Sequence, residues 1–344
     1  GLGDVYKRQL NPSDRYEDVA MMLATFQAAV EALIVSSRAS KISAAMSRTQ
    51  QLAALTLDLP NPYKGLRTFQ ESDAANFFGR QALIDRLVGR MREPGAFNRF
   101  LAVVGPSGSG KSSAVKAGLI PALRTGAITH SSRWYYVELT PGAQPFKELE
   151  AALTSIAVQP PENLDEQLMR DPRELLNMVQ QLLPSDQTTE LFLLIDQFEE
   201  LFTQVTDAER DRFLESLHIA VSSPASRIRV VVTLRADFYD RPLLLPLISE
   251  MMRVRNEVIV PLTPAELEDA IVEPGRRLGV ELEPGLNTAI VREVTDHPGA
   301  LPLLQYLMSE LFQRRQGMWM TLAAYQEMGG VRGALAKRAE EIYE

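Results

Sequence analysis

The junction between residues 104 and 113 constrains this chain more than any other stretch of it. An apolar run at 100–104 passes directly into Gly105-Pro106-Ser107-Gly108-Ser109-Gly110-Lys111-Ser112-Ser113, and a helix-forming stretch follows at once. This is the pattern G-x-x-x-x-G-K-[ST] in a strand–loop–helix context. The glycines let the backbone curl so that successive N–H groups point inward at one anion, and the following helix adds the positive end of its dipole. Lys111 would reach the β and γ phosphates of a nucleoside triphosphate, and the Ser112 hydroxyl would ligate Mg²⁺. The competing reading is a plain glycine turn.

The surrounding pattern agrees with such a loop. Strands are expected at 100–104, 134–139, 191–195, 228–233 and 258–262, separated by longer helical segments. Several are continuous apolar runs without alternation, as in strands covered on both faces by crossover helices. The fold class expected is therefore α/β, a three-layer parallel sheet of the P-loop NTPase kind with a RecA- or AAA-like core. The Pro-rich stretch 158–171 reads as a surface excursion. After Pro264 no further strand is expected, and helical segments run on with breaks at Pro274, Pro284, Pro298, Pro302 and Gly329–Gly330.

Two strand ends carry further chemistry. The run 191–195 delivers Asp196-Gln197-Phe198-Glu199-Glu200. A buried strand that ends in a carboxylate can place it beside Mg²⁺, so Asp196 is the second metal-site residue, acting through a coordinated water. Glu199 or Glu200 could polarise the attacking water, Glu200 being preferred; the alternative is that both open an exposed helix, where acidic residues suit the dipole. The strand at 228–233 ends Thr233-Leu-Arg235-Ala-Asp237. A polar residue and a guanidinium there would sit near the γ-phosphate, where Arg235 could distinguish ATP from ADP. Alternatively, Arg235 pairs with Asp237 or Asp240. The chain has neither the guanine-reading Asn-Lys-x-Asp nor the Ser-Gly-Gly-Gln of transporter ATPases, so ATP/ADP with Mg²⁺ is the expected cofactor set.

Composition narrows the classes. The chain has no cysteine, which removes disulfides and thiolate metal sites and fits a reducing, cytoplasmic setting. Its three histidines, His130, His218 and His297, are far apart and read as ordinary surface or core residues. The net charge of −8 and the lack of any long basic run speak against a nucleic-acid groove. No stretch reaches the roughly 18 apolar residues of a membrane span.

Taken together, these features resemble the STAND-class signalling NTPases, which include the NACHT and NB-ARC ATPases. Asp196-Gln-Phe-Glu-Glu200 resembles the NACHT acidic motif, Thr233-Leu-Arg235 resembles its sensor arginine, and Phe78-Gly79-Arg80-Gln81 resembles the h-G-R-E motif that lies over adenine, with Gln81 in place of the usual Glu. Gly299-Ala-Leu-Pro302 resembles the G-x-P motif of the helical lid, whose proline touches the base in the ADP state; a simple helix start is the other reading. More narrowly, Asn61-Pro-Tyr-Lys-Gly-Leu-Arg-Thr-Phe69, Phe77-Phe-Gly-Arg80, Asp196-Gln-Phe-Glu-Glu-Leu-Phe202 and Leu234-Arg-Ala-Asp-Phe-Tyr239 are similar to the "novel STAND" NTPase domain of bacteria, which commonly precedes WD repeats. The resemblance spans about residues 60–344.

It implies a nucleotide site formed by Gly79, Arg80, the loop from Gly105 to Ser113, and Pro302, with Ser112 and Asp196 at the metal. It also implies a signal-transduction switch with slow, regulatory hydrolysis. The expected partners are copies of itself on activation and effector and sensor modules outside this stretch, with no membrane or nucleic acid. The expected division is 1–10 artefact or disordered start, 11–35 helical tail of an upstream domain, 36–59 linker, 60–263 NTPase core, 264–320 helical lid and 321–344 start of a winged helix. The tail, with Asn11-Pro-Ser-Asp-Arg15-Tyr16 and a stripe through Val19, Met22, Leu23, Phe26, Val30 and Leu33, resembles the last helices of bacterial Ser/Thr protein kinases; a plain linker helix is the alternative. Because the sequence opens on Gly1 and stops within a helical pattern, it reads as a fragment.

Overall fold

The structure, a computed structural model, describes residues 59–157, 163–295, 301–331 and 333. The chain divides into two compact units, Gly1–Pro60 and Asn61–Glu344, and the described residues belong almost wholly to the second. The expected tail at 11–35, nearly all of the linker, the break at Pro298 and half of the winged-helix start lie outside the described residues.

In chain order the main elements are α1 (Gln81–Arg92), β1 (Phe100–Gly105), α2 (111–124), β2 (Tyr135–Leu139), α3 (Pro145–Thr154), α4 (Leu164–Arg170), α5 (Glu174–Leu182), β3 (Leu191–Ile195), α6 (Asp207–Ser222), β4 (Ile228–Arg235), α7 (Pro246–Val254) and β5 (Asn256–Val258). Then follow α8 (Pro264–Arg276), β6 (Glu281–Leu282), α9 (Leu286–Thr295), α10 (Leu301–Gln313), β7 (Trp319–Met320) and α11 (Leu322–Glu327). Helix α2 is continuous but not uniform, because its middle turns at Ala114–Leu119 are widened to π geometry.

The five long-range strands form one parallel sheet in the order β2-β3-β4-β1-β5. All residues of β3 are fully buried, and β1 and β4 are nearly so. Their alternate side chains feed two separate cores. Ala102, Val104, Leu193, Ile195, Val230 and Val232 pack with α3, α5, α6 and α7 on one face. Leu101, Val103, Phe192, Leu194 and Val231 pack with α1 and α2 on the other. Each such aliphatic side chain removed from water stabilises the fold by about 1.5–3 kcal/mol, which is why these strands carry no polar face.

Four local expectations are corrected. The edge strand is Asn256–Val258, not 258–262. Ile259 makes one more ladder bond to Val104, and then Pro261, which has no N–H to donate, leaves the sheet; Val258 and Val260 are more than half exposed, as residues of an edge can be. The 158–171 stretch is not wholly a surface excursion, because α4 buries Leu164 and Leu168, one turn apart, in the first core. Helix α8 runs through Pro274, which sits in its last turn, where few hydrogen bonds are lost. Strands also continue past Pro264: β6 and β7 pair in a two-stranded parallel sheet, too short to leave a sequence period.

Helix α8 packs closely against Gly79. The φ of Gly79 is +79°, and a Cβ there would meet the Glu266 carbonyl oxygen of α8 at 2.2 Å. Gly79→Ala combines a left-handed backbone strain with a backbone collision. It should lower unfolding stability by about 2 kcal/mol or more in urea denaturation.

Candidate functional site

The sheet order determines what meets at its C-terminal edge. Since β4 lies between β1 and β3, the phosphate loop, the end of β4 and the acidic end of β3 stand side by side. The register pairs Gly105 with Arg235, Val103 with Thr233 and Ile195 with Val232, so Asp196 emerges one step further, next to Thr233.

The loop itself takes the shape its glycines allow. Gly108 and Gly110 have φ of +73° and +86°, the left-handed region that turns N–H groups toward one centre. Lys111 is 9% exposed, and its Nζ donates to the carbonyls of Gly105 and Pro106 at 3.0 and 2.9 Å. Burial lowers its pKa, while the nearby Glu199 charge opposes that shift. Within the loop the Ser109 hydroxyl is buried without a protein hydrogen-bond partner, a donor that a phosphate oxygen would satisfy.

Asp196 is the collecting point. Its Oδ1 accepts from Ser112 Oγ at 2.6 Å and from Thr233 Oγ1 at 2.6 Å, and its Oδ2 lies 3.1 Å from Lys116 Nζ. Burial works against the Asp196 charge, but the two hydroxyls and the ammonium outweigh it and hold the carboxyl below its ordinary value. Thr233 also accepts from the Gln197 N–H at 3.0 Å, which steadies a residue whose φ is +56°. Thr233 thus braces the end of β4 against β3.

The two glutamates diverge. Glu199 is buried and accepts from the Arg235 N–H at 3.3 Å, whereas Glu200 accepts from the Gly142 N–H at 2.9 Å, away from the loop. The Arg235 guanidinium pairs with Asp237 at 2.6 Å and stands over the Phe238 ring, as the alternative ion-pair reading had it. Arg80, 6% exposed, donates to the carbonyls of Val260 and Ser109 at 2.9 and 3.0 Å. It thus ties the phosphate loop to the chain leaving β5. Gln81 turns to Asp85 on its own helix.

Beside the loop opens a cleft of about 1000 Å³, open solvent included. One wall is Gly108–Ser113; the others bring Phe69, Phe77, Phe78, Arg80, Leu262 and Ala270 together with Leu301, Pro302 and Gln305 of α10. Pro302 occupies the first turn of α10, where the missing N–H costs nothing, and it lines the cleft as well. An apolar slot next to a cationic, N–H-lined loop suits a flat base attached to phosphates. The segment Gly65–Phe69 forms part of this wall, and Phe69 N–H donates to Ser113 Oγ at 3.3 Å. Its site role was not read from the sequence, although its motif was. Lys116 was missed altogether; the signal was a lone cation in an otherwise apolar helical run.

The donors also suit Mg²⁺. Ser112 and Asp196 offer hard oxygen atoms at one point, and among the described residues no group of three or more metal-binding side chains gathers anywhere, so the remaining ligands would be phosphate oxygens and water. Thr233→Val should cost about 2–3 kcal/mol in thermal unfolding, since it orphans the Gln197 N–H and removes a hydrogen bond to a buried charge. Thr233→Ser should restore most of that.

Solved structures share this fold. The Walker-type ATPase PABY2304 of Pyrococcus abyssi superposes with a TM-score of 0.51 at 14% identity, over 84% of this chain and 76% of that one. The Aeropyrum pernix ORC1 protein, solved in complex with DNA, gives a TM-score of 0.51 at 16% identity, over 76% of this chain and 65% of that one. No curated protein matches the sequence. The family model of novel STAND NTPase 1 matches residues 62–344, and the chain belongs to that family.

Proposed function

We propose that this chain is an ATP-binding, slowly hydrolysing switch of signal transduction. One observation carries the reading: Ser112, Asp196 and Thr233 converge behind the Lys111 loop, and Lys111 and Ser112 themselves line a cleft that α10 and Pro302 help to enclose. The loop N–H groups and Lys111 would hold the β and γ phosphates, and the Ser109 hydroxyl would find its partner there. Ser112 and Asp196 would hold Mg²⁺, which when bound supplies charge neutralisation to the phosphates. Lys111→Ala removes the cation that answers the outer phosphates and should weaken ATP binding at least about tenfold in calorimetry. Unchanged affinity would sink the reading.

For hydrolysis we assign the base to Glu199 rather than Glu200. Glu199 is the charged group that most affects Lys111, whereas Glu200 is turned to Gly142. In a single-turnover assay with excess protein, Glu199→Gln should slow ATP cleavage by about 100-fold or more, and Glu200→Gln by much less. The reverse order would return the role to Glu200.

The switch would run through Arg235. Its guanidinium reaches Asp237, and a γ-phosphate would be a stronger partner than that exposed carboxylate. ADP would hold a closed arrangement of core and α10, and ATP, read by Arg235, would favour an open one that self-associates and signals to attached sensor and effector modules. A nucleotide shifts such a balance only by touching the two states differently, and the γ-phosphate is the differential contact. A second reading, a nucleic-acid-loading ATPase, has one observation behind it: a protein of similar fold was solved with DNA. Salt-dependent DNA binding by the wild type would favour that reading.

A further inference from the structure

One charged side chain at the site has no place in phosphate-loop chemistry. Lys116 stands five residues beyond Lys111, in the widened part of α2, where Ala114, Val115, Ala117, Gly118 and Leu119 are all buried. Its own side chain is only 13% exposed. An ammonium among apolar neighbours is costly unless a charge answers it. Here two carboxylates do: Asp196 Oδ2 at 3.1 Å and Glu138 Oε2, at the end of β2, at 3.3 Å. Asp196 is thereby divided. Oδ1 takes both hydroxyl hydrogen bonds and Oδ2 takes the ammonium, so the protein alone satisfies both oxygens.

We infer that Lys116 is the resident counter-ion of Asp196, neutralising it so that a nucleoside diphosphate is held without a divalent cation. This inference rests on the nucleotide reading above. A lone carboxylate behind the loop repels the phosphates that the loop attracts, and in a partly buried site that repulsion is weakly screened. With the ammonium on Oδ2 the Asp196 charge is already answered by the protein, and Lys111 and the loop N–H groups are left to hold the diphosphate. A triphosphate brings further negative charge, and there Ser112 and Asp196 come into use for the metal. The two nucleotide states would then differ in their need for Mg²⁺. Lys116 acts through Asp196 and is a positioning residue. The Glu138 contact keeps its ammonium from swinging away.

The test is calorimetric titration of ADP into the full chain, once with magnesium chloride and once with EDTA. Wild type should bind ADP with the same affinity in both buffers. Lys116→Met should match it in magnesium but lose about tenfold or more in EDTA, one unit charge being left unanswered. Lys116→Arg should behave as wild type, and Lys116→Met combined with Asp196→Asn should regain indifference to EDTA, because the unanswered carboxylate is gone. A purely structural Lys116 would lower stability without any magnesium dependence. The inference falls if Lys116→Met is as indifferent to EDTA as wild type, or if wild type itself loses affinity in EDTA. A wild type that binds no ADP in either buffer would instead refute the nucleotide reading itself, and the inference with it.

Discussion

The site is organised around a single buried carboxylate. Asp196 receives a hydroxyl from the phosphate-loop helix, a hydroxyl from β4 and an ammonium from the middle of α2. Two of these donors lie four residues apart on α2 and the third comes from β4, more than a hundred residues further along the chain. A charge in the interior is expensive unless it is fully answered, so the register between β3 and β4 and the seating of α2 must both be right for it to be tolerated. The parallel sheet provides the frame: β4 sits between the loop strand and the acidic strand, which puts Thr233 next to Asp196 and Arg235 opposite Gly105.

The loop, with its left-handed glycines and the unpartnered Ser109 hydroxyl, is shaped for phosphate oxygens. The opposite wall is apolar and comes partly from residues C-terminal to the sheet, Leu301 and Pro302 among them. Gly79 is the contact that lets α8 approach the core, because any side chain there would meet backbone. Arg80, buried behind the loop, binds carbonyls of the loop and of the β5 exit rather than lying free in the cleft.

Much of this was legible in the sequence, and the exceptions have physical causes. Strand β3 was readable to the residue because it is buried on both faces and bounded by polar residues. The edge strand was not, since Val258 and Val260 look like strand-core residues although both are more than half exposed at the sheet's edge. Pro274 reads as a break in the sequence, yet a proline in a last helical turn disturbs little. The β6–β7 pair is set by tertiary contact and is too short to have a period. Within the site, Asp196, Ser112 and the loop were evident from spacing, because each is fixed by local chain geometry. The tasks of Thr233, Arg80 and Lys116 depend on which elements come to lie side by side, and no spacing encodes that. The division between Glu199 and Glu200 likewise depends on how the turn after β3 faces.

The claim on which the rest depends is that this loop binds through the β-phosphate. It is tested most directly by thermal unfolding with adenosine, AMP or ADP at equal millimolar concentration, because a ligand that prefers the native state raises the midpoint in proportion to its binding. The account predicts a clear rise with ADP and little or none with AMP or adenosine. Equal shifts with AMP and ADP would place the affinity in the base pocket alone and contradict the assignment of Gly105–Ser113 as the phosphate site.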